Sequence, residues 1–235
     1  AEEGQFDFVL ADLGVSSMQI DNPERGFSYK KDGPLDLRLN PEKGISAAER
    51  LADITRDELA GMLLENSDEP YADEIAKAVS DAKRKGQKIL TTTDLRKIIE
   101  DALSFLKGAD GAEQIKKSCK RTFQALRIDV NSEFEVLETL LEKLPEILAP
   151  NGRVAILTFH SGEDRLVKKS FSRFTKKVFI RKYQTESSGR HRKNVTEIQE
   201  RVWRSCVGLS NHKSVSGRIR IPIIKRKKCG GVYHD

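Results

Sequence analysis

Two short apolar runs of strand-forming residues lie far apart in this chain, and the way each one ends constrains the fold most. Phe6-Asp-Phe-Val-Leu-Ala11 closes on Asp12 and Gly14, and Val154-Ala-Ile-Leu-Thr-Phe159 closes on His160 and Ser161. Near-continuous apolar runs of this length are the pattern of strands buried on both faces of a parallel sheet, whereas a strand with one wet face alternates. Just ahead of the second run, Phe123, Leu126, Val130, Phe134, Leu137, Leu141, Leu144 and Leu148 recur at helical spacing, which predicts one long amphipathic helix. Pro145 is expected to kink its last turn, and Pro150-Asn-Gly152 to end it and turn the chain into the strand. Helix, tight turn and strand are half of a βαβ unit, so the expected class is α/β.

About a hundred residues separate the first strand from that helix, far more than the few-residue connections usual in such folds, so an inserted helical subdomain is predicted. Thr55-Arg-Asp-Glu58 fits a capping box. The stretch from Tyr71 to Lys85 carries Ile75, Ala78, Val79 and Ala82 on one face, and Leu95, Ile98, Ile99, Ala102 and Leu103 mark a further helix after the polar Thr91–Asp94. Gly108–Gly111 reads as a loop leading out of it. Beyond Lys176 the pattern decays, with Ile219–Ile224 the one late strand candidate.

Charge is unevenly placed. Between Arg165 and Asp235 there are 20 Lys+Arg against 4 Asp+Glu, while the rest of the chain holds 22 against 32. A segment so basic is an electrostatic footprint for a polyanion, and Phe171, Phe174, Phe179 and Tyr183 interleave with the charges where they could stack on bases. The alternative is a solvated basic tail. The three cysteines, Cys119, Cys206 and Cys229, form no CxxC or Cys/His cluster, which argues for a reducing compartment and no zinc. No apolar run approaches the roughly 20 residues of a membrane span. With no initiator Met, and a strand that begins almost at once, the chain reads as a fragment that joins a fold already under way.

Ligands of open α/β sheets bind beyond the carboxyl ends of the strands, which is where Asp12 and His160 stand. Asp12-Leu-Gly-Val-Ser-Ser-Met-Gln19, then Asp21, Arg25-Gly-Phe-Ser28 and Asp32-Gly-Pro-Leu-Asp36-Leu-Arg38, form a polar, glycine-bearing stretch without helical or strand period, too elaborate for a plain connection.

These residues carry a resemblance. The segment Asp12–Arg38, together with Arg121-Thr-Phe-Gln-Ala-Leu-Arg127 followed by Asn131-Ser-Glu133, and with Phe159-His-Ser-Gly-Glu-Asp-Arg165, resembles the bacterial and organellar methyltransferases that modify the exocyclic N4 amine of a cytosine in small-subunit (16S-type) ribosomal RNA. The blocks occur in that family's order, and the similarity runs from about residue 5 to about residue 172. It implies S-adenosylmethionine as methyl donor, ribosomal RNA or the small ribosomal subunit as partner, and a Rossmann-like domain interrupted by a helical one that helps to recognise substrate. The implied division is 1–40, methyltransferase domain, first part; 41–118, inserted helical domain; 119–235, methyltransferase domain, second part, with the basic tail. Asp12 and Gln19 match cofactor-contacting positions. Arg25, Phe27 and Arg38, with Asn131, His160 and Ser161, match positions beside the same cleft and are assigned to the substrate side. The family's opening strand and glycine-rich loop are not in this chain, so the first strands of the sheet are expected to be missing, and Gly162 stands where the family usually has leucine. The implied compartment is bacterial cytoplasm, or else plastid stroma or mitochondrial matrix.

Methyl transfer from a sulfonium to an aromatic amine is chiefly a matter of in-line positioning. Asp36, Ser16 and Ser17 are the candidate acceptors for the amine N–H groups. No covalent cysteine is required. The cytosine has to leave its stack, with Phe27 or Tyr29 either stacking on it or packing in the core. Three rivals stand beside this function. A hydrolase from Ser16 or Ser17 with His160 lacks a GxSxG elbow, and Ser-Ser-Met-Gln offers no helix-capped nucleophile. His160-Ser-Gly-Glu163-Asp164 read as a metal site gives way to a loop and helix start, so no metal is assigned. A non-catalytic RNA-binding or ribosome-associated remnant stays open.

Overall fold

A computed structural model of the protein describes residues 5–175 and 223–225. Most of the basic segment, with Phe179 and Tyr183, lies outside the described residues, as do residues 219–222 of the late strand candidate. The elements run β1 (Phe6–Asp12), α1 (Ser17–Asp21), a 3₁₀ turn (Pro23–Arg25), α2 (Ala47–Asp53), α3 (Arg56–Ser67), α4 (Ala72–Arg84), α5 (Thr92–Ala102), α6 (Gly108–Val130), α7 (Glu133–Ile147), β2 (Leu148–Thr158), α8 (Ser161–Thr175) and β3 (Ile223–Lys225). The described residues gather into two compact units, one of 5–12, 144–158, 170–175 and 223–225, the other of 13–143 and 159–169.

The first unit holds a parallel sheet in the order β1-β2-β3, as the two apolar runs require for an α/β chain. Val154, Ala155 and Ile156 are each fully buried in succession, the mark of a strand covered on both faces. The strand is longer than the apolar run. No turn separates helix from sheet, because α7 stops at Ile147 and β2 starts at Leu148. Pro150-Asn-Gly152 instead lies in a bulge of β2: Phe6 pairs with Leu148, but Phe8 pairs with Arg153. A side chain at 152 would put Cβ 2.8 Å from Ala149 O and 3.0 Å from Phe6 O, so only glycine lets the backbone pass there.

The second unit is helical. Four helices start on reciprocal capping boxes, Ser16 with Gln19, Ser46 with Glu49, Thr55 with Glu58 and Thr91 with Asp94. The apolar faces of α2 to α6 close on Leu51, Leu63, Ile75, Leu95, Ile99 and Leu126, all essentially inaccessible to solvent, and Leu35 and Leu37 join that cluster. Two sequence expectations are corrected here. Gly108–Gly111 is the first turn of α6 and not a loop. The predicted single helix is two, because Ser132 takes a left-handed φ of 47° and Asn131 spends its side chain on a neighbouring loop. Helix restarts at once, Val136 N–H donating to Ser132 O at 3.0 Å, so the apolar stripe runs on across the break.

Candidate functional site

The stretch from Leu13 to Arg38 is a folded loop held by its own polar groups. It is not without helix: Ser16 caps α1, its N–H donating to Gln19 Oε1 at 3.0 Å while its Oγ accepts from Gln19 N–H at 3.3 Å. Sequence reasoning missed this cap because α1 is only five residues long, too short to show a period. Ser17 stands exposed in the first turn. Asp12, also exposed, ends β1 opposite Leu157 in the parallel register.

Three charged residues of the loop, Arg25, Asp36 and Arg38, are turned inward on the chain. Asp36 grips Arg38 in a two-point pair, Nε to Oδ1 at 2.6 Å and Nη2 to Oδ2 at 2.9 Å, and Arg38 Nη1 donates to Gly44 O at 3.1 Å. The hydrogen bond from Arg38 holds the Asp36 carboxyl below the usual carboxylate range. Arg25 donates to the carbonyls of Arg38 (2.8 Å) and Leu39 (2.9 Å) and lies over the Phe27 ring, 5.6 Å from its centroid. Phe27 and Tyr29 pack against the helical core, Tyr29 with its ring 5.9 Å from that of Phe123.

Asn131, from the second motif, ties that loop to the end of α6. Its Oδ1 accepts from Leu39 N–H at 2.6 Å and its Nδ2 donates to Leu37 O and Arg127 O, each at 2.8 Å. Arg127 makes a two-point pair with Glu133 (2.8 and 3.0 Å), bracing the turn between α6 and α7.

The third motif meets both. Phe159, 43% exposed, lays its ring against Gly14, where a Cβ would be 3.3 Å from Phe159 Cδ2. At the start of α8, Glu163 Oε2 accepts from the N–H groups of Phe159 (2.7 Å) and His160 (3.4 Å), and Glu163 N–H points to His160 Nδ1 at 3.4 Å: a capping box with histidine in the serine's place. Burial pushes the Glu163 carboxyl up, but the His160 contact and the two amides outweigh it and leave the group below its ordinary range. The His160 ring lies 5.9 Å from that of Phe134. Gly162 makes this possible, since a Cβ there would sit 2.6 Å from Phe134 Cζ. Ser161 Oγ donates to Asp68 Oδ2 at 3.1 Å, and Arg165 pairs with the same carboxylate at 2.7 Å.

Three features escaped sequence reasoning wholly or in part. Glu133, His160 and Glu163 bring one ligand-type atom each within 4.8 Å of the others; from sequence alone His160 and Glu163 are weighed with Asp164 as a metal site and none is assigned, and it is Glu133, at the end of the second motif, that is missed. Phe159, at the start of the third motif, is 43% exposed, whereas Phe27 and Tyr29 pack against the helical core. A cleft of about 380 Å³ lined by Arg50, Glu58, Glu65, Asp129 and Glu135 carries four carboxylates against one guanidinium, so it repels phosphate. Among the described residues, no helix is long and apolar enough to cross a membrane.

Comparison with known proteins fits this arrangement. The profile of the MraW methylase family matches residues 1–223. The chain is 71% identical over 169 residues to "Ribosomal RNA small subunit methyltransferase H 1" of Agathobacter rectalis, covering 72% of this chain and 48% of that protein. It is 69% identical over 170 residues to the protein of the same name from Lachnoclostridium phytofermentans (72% and 46%), and 46% identical over 166 residues to "Ribosomal RNA small subunit methyltransferase H" of Thioalkalivibrio sulfidiphilus (71% and 51%). The chain thus spans about half the length of the curated relatives it matches.

Proposed function

Because the chain belongs to the MraW methylase family, we propose that it acts in transferring a methyl group from S-adenosylmethionine to the exocyclic N4 amine of a cytidine in small-subunit ribosomal RNA. The observation that carries this is the meeting of all three family-like motifs in one unit, Asn131 on Leu37 and Leu39 and Phe159 on Gly14.

Asp12 and Gln19 are the residues assigned to the cofactor, whose sulfonium supplies the methyl group. Two observations suit them to it. Asp12 is an exposed carboxylate at the carboxyl end of a parallel strand, and Gln19 uses its Oε1 on Ser16, so that its amide nitrogen is left for a ligand. Ser17, and Asp36 through the lone pairs that Arg38 leaves, accept the N–H groups of the amine and hold its lone pair out of the ring plane. His160 and Ser161, on the turn into α8, border the substrate side, with Phe159 the aromatic surface on which an unstacked pyrimidine rests. Arg25, Phe27, Arg38 and Asn131 serve that side at one remove, by fixing the loop's shape.

The finer architecture follows the same reading: a Rossmann-like methyltransferase domain in parts 1–40 and 119–235, an inserted helical domain at 41–118, and further sheet strands beside β1, whose Phe6 and Leu10 are 51% and 46% exposed. The relatives are bacterial, which favours a cytoplasmic enzyme.

The test is incubation of the protein with small-subunit RNA and methyl-tritiated S-adenosylmethionine, followed by nucleoside digestion. N4-methylcytidine that disappears when Asp12 and Gln19 are both replaced by alanine supports the assignment. The alternative, a non-catalytic RNA-binding or ribosome-associated remnant, would show RNA binding with no heat of binding for S-adenosylmethionine.

A further inference from the structure

Glu133, at the start of α7, and His160 and Glu163, at the start of α8, belong to one compact unit, and their ligand-type atoms lie within 4.8 Å of one another. All three side chains are close to fully buried, with 14%, 10% and 5% of their surface exposed. His160 Nε2 is buried and makes no hydrogen bond. Glu163 Oε1 is 3.2 Å away, but not in the line a hydrogen bond needs. An imidazole nitrogen left unsatisfied between two carboxylates costs stability unless something completes it. Arg127 balances only one of the two carboxylates, and the Phe134 ring supplies no countercharge.

We propose that Glu133, His160 and Glu163 form a binding site for one divalent transition-metal cation. One imidazole nitrogen and two carboxylate oxygens suit Mn²⁺ or Zn²⁺; Ca²⁺ demands six or more oxygens, and Mg²⁺ prefers to keep its water. Donors about 2.1 Å from a common ion stand roughly 3.4 Å apart, so the cluster has to contract by little more than an ångström. Arg127 stays as the outer partner of Glu133, whose oxygens each keep a lone pair beside the guanidinium. The bound ion would tie the first residue of α7 to the turn that carries Phe159, holding that turn in one conformation. This departs from the sequence reading, which assigned no metal, and it does not depend on the proposed reaction.

The experiment uses the full chain stripped with chelator and titrated with Mn²⁺, reading free Mn²⁺ by electron paramagnetic resonance and stability by thermal melting. Mn²⁺ is chosen because the thiols Cys206 and Cys229 compete poorly for it. Expected are one ion per chain, a rise in Tm with metal, and at least a tenfold loss of affinity in Glu133→Gln and in His160→Asn, the latter keeping a helix-capping side chain. Glu163→Gln, which keeps an acceptor for the two amides, should lose affinity likewise and decides the matter if either of the others fails to fold. Less than half an equivalent bound at millimolar Mn²⁺, or affinity unchanged in these variants, would overturn the proposal.

Discussion

Asn131 offers the sharpest test of how the site is built, because one side chain holds two motifs together. In Asn131→Ala, Arg127 O keeps a donor, the backbone N–H of residue 131 at 3.2 Å, so two groups are orphaned, Leu39 N–H and Leu37 O. The part-buried Leu37 O should cost about 1–1.5 kcal/mol and the exposed Leu39 N–H, which water can reach, about 0.5 kcal/mol, so the helical unit should be destabilised by about 1.5–2 kcal/mol. Asn131→Asp keeps an acceptor for Leu39 N–H but turns a carboxylate on the Leu37 and Arg127 carbonyls, so it should be no more stable than the alanine variant. Urea unfolding followed by far-UV circular dichroism gives the loss, and hydrogen exchange at Leu39 gives its location, since that amide loses its acceptor only in the alanine variant. If Asn131 acts instead as a ligand contact, both variants stay within about 0.5 kcal/mol of the parent and Leu39 exchanges as before, which would refute the strut.

Gly162→Leu drives a side chain into Phe134 and should cost about 1–3 kcal/mol in the same urea assay, with Phe134→Ala in the same chain recovering part of it. Asp36 is held below its usual range by Arg38, so its stabilisation is full above a pH of about 4 and is lost as pH falls through the depressed folded value; Asp36→Asn should flatten that acid limb of the melting curve. Burial pushes the Cys119 thiol up to about 12. The unfolded thiol ionises first as pH rises from about 8.5, so stability should decline toward pH 12 more steeply in the parent than in Cys119→Ala, where the raised Tyr29 still contributes, and Cys119 should resist thiol reagents while the protein is folded.

What the sequence made legible follows from the length scale of each signal. The strand runs, the capped helices and the stripe from Phe123 to Leu148 depend on periodic burial, and the buried Leu126, Leu137, Leu141 and Leu144 sit where the period puts them. The break at Asn131-Ser132 left no trace, because a left-handed residue between two helices of like phase keeps the stripe intact. The loop from Leu13 to Arg38 was legible as special but not in its workings. Periodicity carries no information about Arg25 donating to carbonyls thirteen and fourteen residues away, or about Asp36 closing on Arg38. The balance between core packing and stacking at Phe27 and Tyr29 was equally unreadable, since it turns on whether Phe123 of α6 meets Tyr29 of the loop.

Four arginines, Arg25, Arg38, Arg50 and Arg127, are committed to the fold, and this bears on where the proposed RNA would be gripped. Arg25 serves two carbonyls, Arg38 serves Asp36 and Gly44 O, Arg50 pairs with Asp129 at 2.8 Å and Arg127 with Glu133. A guanidinium held at two points has little left to give a phosphate, and the nearby cleft is acidic. Long-range attraction then has to come from the basic segment, which after Thr175 still holds 16 Lys+Arg against 4 Asp+Glu. A chain ending at Thr175 should therefore keep its helical content and, with a bound single strand, lose most of the salt dependence expected of the parent, a steep fall of log K with log salt at about 0.7 per phosphate neutralised. Charge reversal at Arg25 or Arg38 in the parent should instead unfold the loop while leaving that slope unchanged. An unaltered salt slope in the shortened chain would mean that the surface gripping RNA lies within the first 175 residues after all.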